Sequence, residues 1–376
     1  MNMSQLPRDL VEEEILCRVP ATSLRRLRST CKRWNRLFND SRFARNHFEK
    51  AKKQSFVLML TKEFRIFSLN VHLRGIPSAE FEGELSLFDR CSSNSAILDI
   101  SQVFHCDGLL LCTIKEETRI VVWNPWTGQT KWIQPRNPYR QSDTYSLGPY
   151  LDSNCGNISY KILRHERYDG GEINNQTFEI FEIKSTLWRT LDVNIDCQLL
   201  DTECRVSLRG KTYWFAGDLI NQFDKGIFLV SFDYQTERFR RLCLPYQCRN
   251  PYNYVSLSLV GEQKLSVLRR RRQTSQTEVW VRNDETEVAS WSKLLVVDSP
   301  QVEFCHLTSL LVEEEKKVLV CCERWMDIQD TTKSNDFVYL VGEDNKITNV
   351  DFGASKLLLS CFPLLFSYVP SLVQIQ

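Results

Sequence analysis

CDGLLLCTIKEETRIVVWNPWTGQTKWIQP, residues 106–135, carries the pattern that organises the chain. An apolar run in CDGLLLC (106–112) is followed by a second in RIVVWN (119–124), rich in β-branched residues and ending in an aromatic. Asn124-Pro125-Trp126-Thr127-Gly128 then supplies turn chemistry, and TKWIQP carries a further run with Trp132. The segment reads as strand, strand, turn, strand.

The unit recurs outward in both directions. SFVLML, FRIFSL, FEIFEI, FLVSFD, TEVWV and DFVYLV are further runs of the same kind. Aligning the apolar strand before each turn puts Phe67, Trp123, Phe181, Val230, Trp280 and Tyr339 in register, at a spacing of about 50–60 residues. The strand after the turn carries an aromatic at Trp132, Trp188, Phe239 and Trp291, and the strand before it appears again in GKTYWFAG (210–217) and KLSVL (264–268). Six such units from Ser55 onward predict an all-β domain built as a six-bladed propeller, with a pair of β-sandwiches as the alternative. Pairing of the run around Phe366 to Val373 with the unit from Phe56 to Leu69 would close the ring, since an open propeller leaves two bare strand edges.

The first 50 residues have a different period. Pro7 suits a first helical turn, Glu12, Glu13 and Glu14 suit the positive end of a helix dipole, and Leu10, Val11, Ile15, Leu16 and Val19 follow at helical spacing until Pro20. Thr22 or Ser23 can cap a second helix with Leu24 and Leu27; Trp34, Leu37 and Phe38 belong to a third, and Ser41 can cap a last one through Phe43 and Phe48. So small a helical set has too little core to stand alone. It must dock on the rest of the chain or complete itself on another protein. The boundaries read as a helical domain over 1–50 and a β domain over 51–376.

Composition narrows the function classes. Lys+Arg at 48 against Asp+Glu at 47 leaves no clustered positive excess, which argues against nucleic-acid or membrane-surface binding. The start MNMSQLPRDLVEEEIL lacks the basic and apolar regions of a secretory signal, so the expected location is cytoplasmic, nuclear or both, with the 14 cysteines as reduced, mostly buried thiols. No Cys-x-x-Cys occurs and His47, His72, His105, His165 and His306 are scattered, so no metal or other cofactor is expected. The apolar stretch 357–376 has the length of a membrane span, but Pro363 and Pro370 interrupt it, and it reads as strand. Phosphate loops, nucleophile elbows and metalloprotease helices are missing, so no catalytic residues are assigned. Arg269 to Arg272 read as an exposed hairpin more readily than as an import signal.

Residues 6–38 resemble an F-box. The resemblance rests on Leu6-Pro7, Leu10, Ile15-Leu16, Val19-Pro20, Ser23-Leu24, Leu27-Arg28 and Cys31-Lys32-Arg33-Trp34, without gaps. It implies docking on the Skp-type adaptor of a cullin ubiquitin ligase through Leu6, Pro7, Leu10, Ile15, Leu16, Val19, Pro20, Leu24, Leu27 and Trp34. The order CDGLLLC, VVWNPWTG, KWIQP, SFDYQTERF and SYVPSL after that module resembles the F-box-associated domain of plants, while the double glycine of kelch repeats is missing. The resemblance implies a non-catalytic substrate receptor whose β domain recruits a target protein. Two other readings stay open: an F-box adaptor working outside a ligase, and a lectin-like or enzymatic propeller with a helical cap.

One repeat points to a target surface. Arg136-Asn137-Pro138-Tyr139 and Arg249-Asn250-Pro251-Tyr252 occur at the same stage of two units. Equivalent propeller connections emerge on one face, and Arg and Tyr are enriched at interface hot spots. Arg136, Tyr139, Arg249 and Tyr252 are therefore the candidate target-binding residues. The competing reading is that Asn-Pro simply makes a turn there.

Overall fold

The computed structural model describes residues 7, 10–28, 30–51, 57–72, 78–89, 97–115, 118–136, 143–166, 176–193, 195–200, 205–218, 226–246, 254–261, 263–270, 276–283, 290–298, 309–313, 317–326, 334–354 and 363–375. The described part of the helical region starts with a wide π-type turn over Leu10–Ile15 and a tight 3₁₀ turn over Leu16–Arg18. Three short helices follow: α1 (Ala21–Arg28), α2 (Lys32–Phe38) and α3 (Ser41–Ala51). The cap of α2 is the Cys31 thiol, which accepts from Trp34 N. That of α3 is Asp40, one residue before the expected Ser41; its Oδ1 accepts from Arg42 N and Phe43 N, both at 3.0 Å.

Among the described residues, the regular elements after the helices are all strands, arranged as a six-bladed propeller. Blade 1 takes β1 (Val57–Lys62), β2 (Arg65–His72) and β3 (Ser78–Leu85); blade 2 is β4 (Ile100–Cys106), β5 (Leu109–Ile114), β6 (Ile120–Asn124) and β7 (Gln129–Ile133). Blade 3 is β8 (Thr144–Leu151), β9 (Ile158–Glu166), β10 (Thr177–Glu182) and β11 (Leu187–Thr190). In blade 4 two short strands, β12 (Cys197–Leu199) and β13 (Val206–Leu208), share the inner edge of β14 (Lys211–Asp218), with β15 (Ile227–Asp233) and β16 (Arg238–Leu242) outside. Blade 5 is β17 (Tyr254–Val260), β18 (Lys264–Arg270), β19 (Gln276–Asn283) and β20 (Ser290–Asp298). Blade 6 is β21 (Ser309–Glu313), β22 (Val318–Met326), β23 (Ser334–Gly342) and β24 (Ile347–Ala354). The last strand, β25 (Leu364–Tyr368), returns to blade 1 as its innermost member, antiparallel to β1 from Val57↔Tyr368 to Thr61↔Leu364. The ring therefore closes as expected, although Val369 to Val373 leave the sheet.

All six aligned residues, Phe67, Trp123, Phe181, Val230, Trp280 and Tyr339, lie on the third strand of a blade. Strand pairing shifts three of them by two residues: Trp188 faces Phe181, but Trp132, Phe239 and Trp291 face Val121, Phe232 and Arg282 in place of Trp123, Val230 and Trp280. Adjacent blades share a tie. The Trp188 indole donates to Gln134 O at 2.8 Å and the Trp291 indole to Cys243 O at 3.1 Å, each reaching the chain just past the outer strand of the preceding blade. Half of the basic run departs from the exposed-hairpin expectation. Arg269 and Arg270 belong to β18; Arg270 is buried, and the Arg269 guanidinium lies 4.4 Å from the Tyr246 ring centre. Arg271 and Arg272 lie outside the described residues.

The antiparallel strand order gives the propeller two faces. Hairpins joining first to second and third to fourth strands open on one; second-to-third and blade-to-blade connections open on the other. The helices sit on the hairpin face. Phe48 of α3 packs in one cluster with Phe104, Leu109, Tyr160 and Val369, and Arg45 Nη1 reaches Asp107 Oδ2 in the β4–β5 turn at 3.4 Å. The small helical set thus docks on its own chain.

Candidate adaptor-docking surface and target face

The helical module builds its surface on an internal cluster of Val11, Leu16, Cys17, Leu24, Phe38, Phe43 and Ala44. Two of those residues come from the docking set expected from sequence, and both are wholly internal: Leu16 and Leu24 are 0% exposed. Leu10 is 43% exposed, and Pro7 and Pro20 are exposed too. Ile15, Val19, Leu27 and Trp34 are half-buried, the last three packed on the rim of the internal cluster. Leu6 lies outside the described residues. The set therefore divides into an outer apolar surface and an inner pair beneath it.

Polar contacts fix the module's shape. His47, fully buried, donates from Nε2 to the Val19 carbonyl at 2.8 Å and so ties α3 to the segment before α1. Burial pushes its imidazole below the ordinary value, although that carbonyl favours the cation. The Lys50 ammonium donates to Glu13 O at 2.6 Å, and Arg33 pairs with Glu12, joining α2 to the first turn. Burial also pushes the Cys17 thiol up, leaving a packing group and not a nucleophile.

The core is completed by a residue that helical periodicity did not suggest. Leu372, 2% exposed, belongs to the internal cluster of the helical module, and Trp126 of the β6–β7 turn packs against it. The tail carrying Leu372 is held by Asn124, whose Nδ2 donates to Ser371 O at 3.0 Å and Val373 O at 2.9 Å. The same side chain's Oδ1 accepts from Trp126 N and Thr127 N, so one residue shapes the turn and anchors the tail. At Gly108, φ is +77° and an added Cβ would lie 2.2 Å from Ser371 Cβ, which explains the glycine against the tail. The sequence signal was the tail's Val-Pro-Ser-Leu-Val, apolar but broken by Pro370.

Of the proposed target residues, Arg136 is exposed just past β7, while Tyr139, Arg249 and Tyr252 lie outside the described residues. The strands flanking both Arg-Asn-Pro-Tyr segments are described: β7 leads to β8 and β16 to β17, each an outer-to-inner crossing between blades. Both crossings leave from the face opposite the helices. Among the described residues, no group of three His, Cys, Asp or Glu side chains is placed to hold a metal ion, and no helix is long and apolar enough to cross a membrane.

Comparison with known proteins agrees with this layout. The F-box domain model matches residues 3–46, and that of the F-box associated beta propeller domain matches residues 56–375. The chain is similar to the probable F-box protein At5g47300 of Arabidopsis thaliana, at 54% identity over 99% of this chain and 87% of that one. It is similar too to the putative F-box protein At3g25460 of the same plant, at 48% identity over 100% and 99% of the two chains. The F-box/kelch-repeat protein At3g44120, also from Arabidopsis thaliana, matches at 46% identity over 100% and 97%.

Proposed function

Because the chain belongs to the family of F-box proteins whose second domain is the F-box-associated β-propeller, we propose that it is the substrate-recognition subunit of a Skp-cullin-F-box ubiquitin ligase. The module binds the Skp-type adaptor through Leu6, Pro7, Leu10, Pro20 and the half-buried Ile15, Val19, Leu27 and Trp34. Leu16 and Leu24 hold that strip in shape from below. The propeller holds a target protein for ubiquitination, and the mechanism is proximity: a held target gains effective concentration at the conjugating enzyme, so this chain performs no bond chemistry. The protein then works in the cytoplasm, the nucleus or both.

The observation that carries the reading is the division of faces. The helices occupy the hairpin face, opposite the face of the blade-to-blade connections, which is the one assigned to a target. Leu10→Glu, or Leu6 and Pro7 changed together to Ala, should abolish adaptor pulldown while the propeller melts as before, because a charge in a desolvated apolar contact costs several kcal/mol. Unchanged pulldown by the double variant would sink the interface. Changing Arg136, Tyr139, Arg249 and Tyr252 to Ala should lose the target and keep adaptor binding and melting temperature. A lower melting temperature with intact capture would make those residues turn formers. Targets to score come from proximity labelling with the docking strip disabled, so that they accumulate. Co-purification of a cullin separates a ligase subunit from an adaptor acting outside one.

A further inference from the structure

A cleft of about 310 Å³ lies where α3, the β8–β9 turn and the C-terminal tail meet. That volume suits a small molecule and is too small for a folded partner. Its lining is mixed in a directed way. Ala44, Ile158 and Val373 give it an apolar floor, Asn46 and Asn157 bring side-chain amides, and Arg42 and Arg45 bring two guanidiniums. Asp107 engages Arg45, and it is occupied: its Oδ2 takes Arg45 Nη1 at 3.4 Å and the Tyr160 hydroxyl at 3.1 Å. Arg42 is exposed and, among the described residues, makes no ion pair.

We propose that this cleft binds a small organic anion, one carboxylate or phosphate group on an apolar body. The anionic group meets the Arg42 guanidinium, whose planar fork suits such groups. The apolar body covers Ile158 and Val373. A neutral ligand would leave the Arg42 cation without its match, which is why the charge of the ligand matters. The bound molecule would touch the helical module, blade 3 and the tail at once, and so would stiffen the joint between the docking module and the propeller. The site lies apart from the adaptor strip and the target face, so it stands or falls independently of both.

Equilibrium dialysis of the full chain, with 2-naphthoate as probe and 2-naphthamide as its neutral counterpart, tests the site. Saturable 2-naphthoate binding is expected, with the amide at least about tenfold weaker, since a charge-assisted contact is lost. Arg42→Ala should weaken 2-naphthoate by at least about tenfold, and Asn46→Trp, which fills the cleft from the half-buried face of α3, should do the same. Both variants should keep the melting temperature and adaptor co-purification. Equal binding of amide and carboxylate, undiminished binding by either variant, or no saturable uptake of 2-naphthoate would overturn the proposal.

Discussion

At Gly148 there is room for a hydrogen and nothing more: a Cβ would lie 2.0 Å from Tyr234 Cδ2. The tyrosine cannot move aside. Its ring is fully buried, and its hydroxyl donates to Ser146 Oγ at 3.2 Å and lies 2.9 Å from Thr212 Oγ1, which joins blades 3 and 4. Gly148→Ala should therefore cost about 1–3 kcal/mol by overpacking, read as a lower denaturant midpoint with an unchanged slope. His47 sets a second residue-scale expectation. Its folded pKa is lowered, so the unfolded chain takes up the proton first, near the ordinary value of about 6.5. The stability it contributes is complete above that value and is lost as pH falls from there through the lowered folded value. Melting temperature measured from neutral pH to about 5.5 should drop more for the native chain than for His47→Gln, which keeps a donor for Val19 O and does not titrate. Parallel curves would remove His47 from the account.

At the scale of elements, the returning segment has two parts with separable roles. β25 completes blade 1, and the tail after it reaches the helical module through Leu372 and blade 2 through Val369 and Val373. Truncation after Tyr368 should leave a closed ring that still melts cooperatively. It should lose adaptor capture, because burial of Leu372 alone is worth about 1.5–3 kcal/mol to a module with so little core. Full capture by the truncated chain would show that the module stands without its tail. The same elements explain what could be read from sequence. Third and fourth strands were legible because each carries an aromatic and is bounded by a turn. Apart from β25, first strands were not: β12 and β13 have three residues each, and β8 reads TYSLGPYL, with Gly148 and Pro149 disguising a strand. For the docking strip, residue types were legible and depth was not. A short helical period that places apolar residues on more than one face cannot separate Leu10 outside from Leu16 and Leu24 within.

For the whole molecule, ring closure is the step on which the β domain depends. The seam between blades 1 and 6 has the β1–β25 ladder and, beside it, Lys62, whose ammonium donates to Phe352 O at 2.6 Å and Gly353 O at 3.0 Å. Deleting residues 364–376 removes the ladder and bares the β1 edge, so aggregated protein is expected on size-exclusion chromatography. A soluble, monomeric deletion would mean that Lys62 and the outer strands suffice. The buried place of Leu372 in one cluster with Leu16 and Leu24 has a further consequence, which belongs to synthesis. Translation runs from the helical module toward the propeller, so the module emerges first and is finished last. It waits, core incomplete, until every blade has been made. Ribosome-bound chains stalled within the propeller should therefore fail to capture adaptor, and under the proposed function a receptor cut short before it can hold a target is also kept from occupying a ligase.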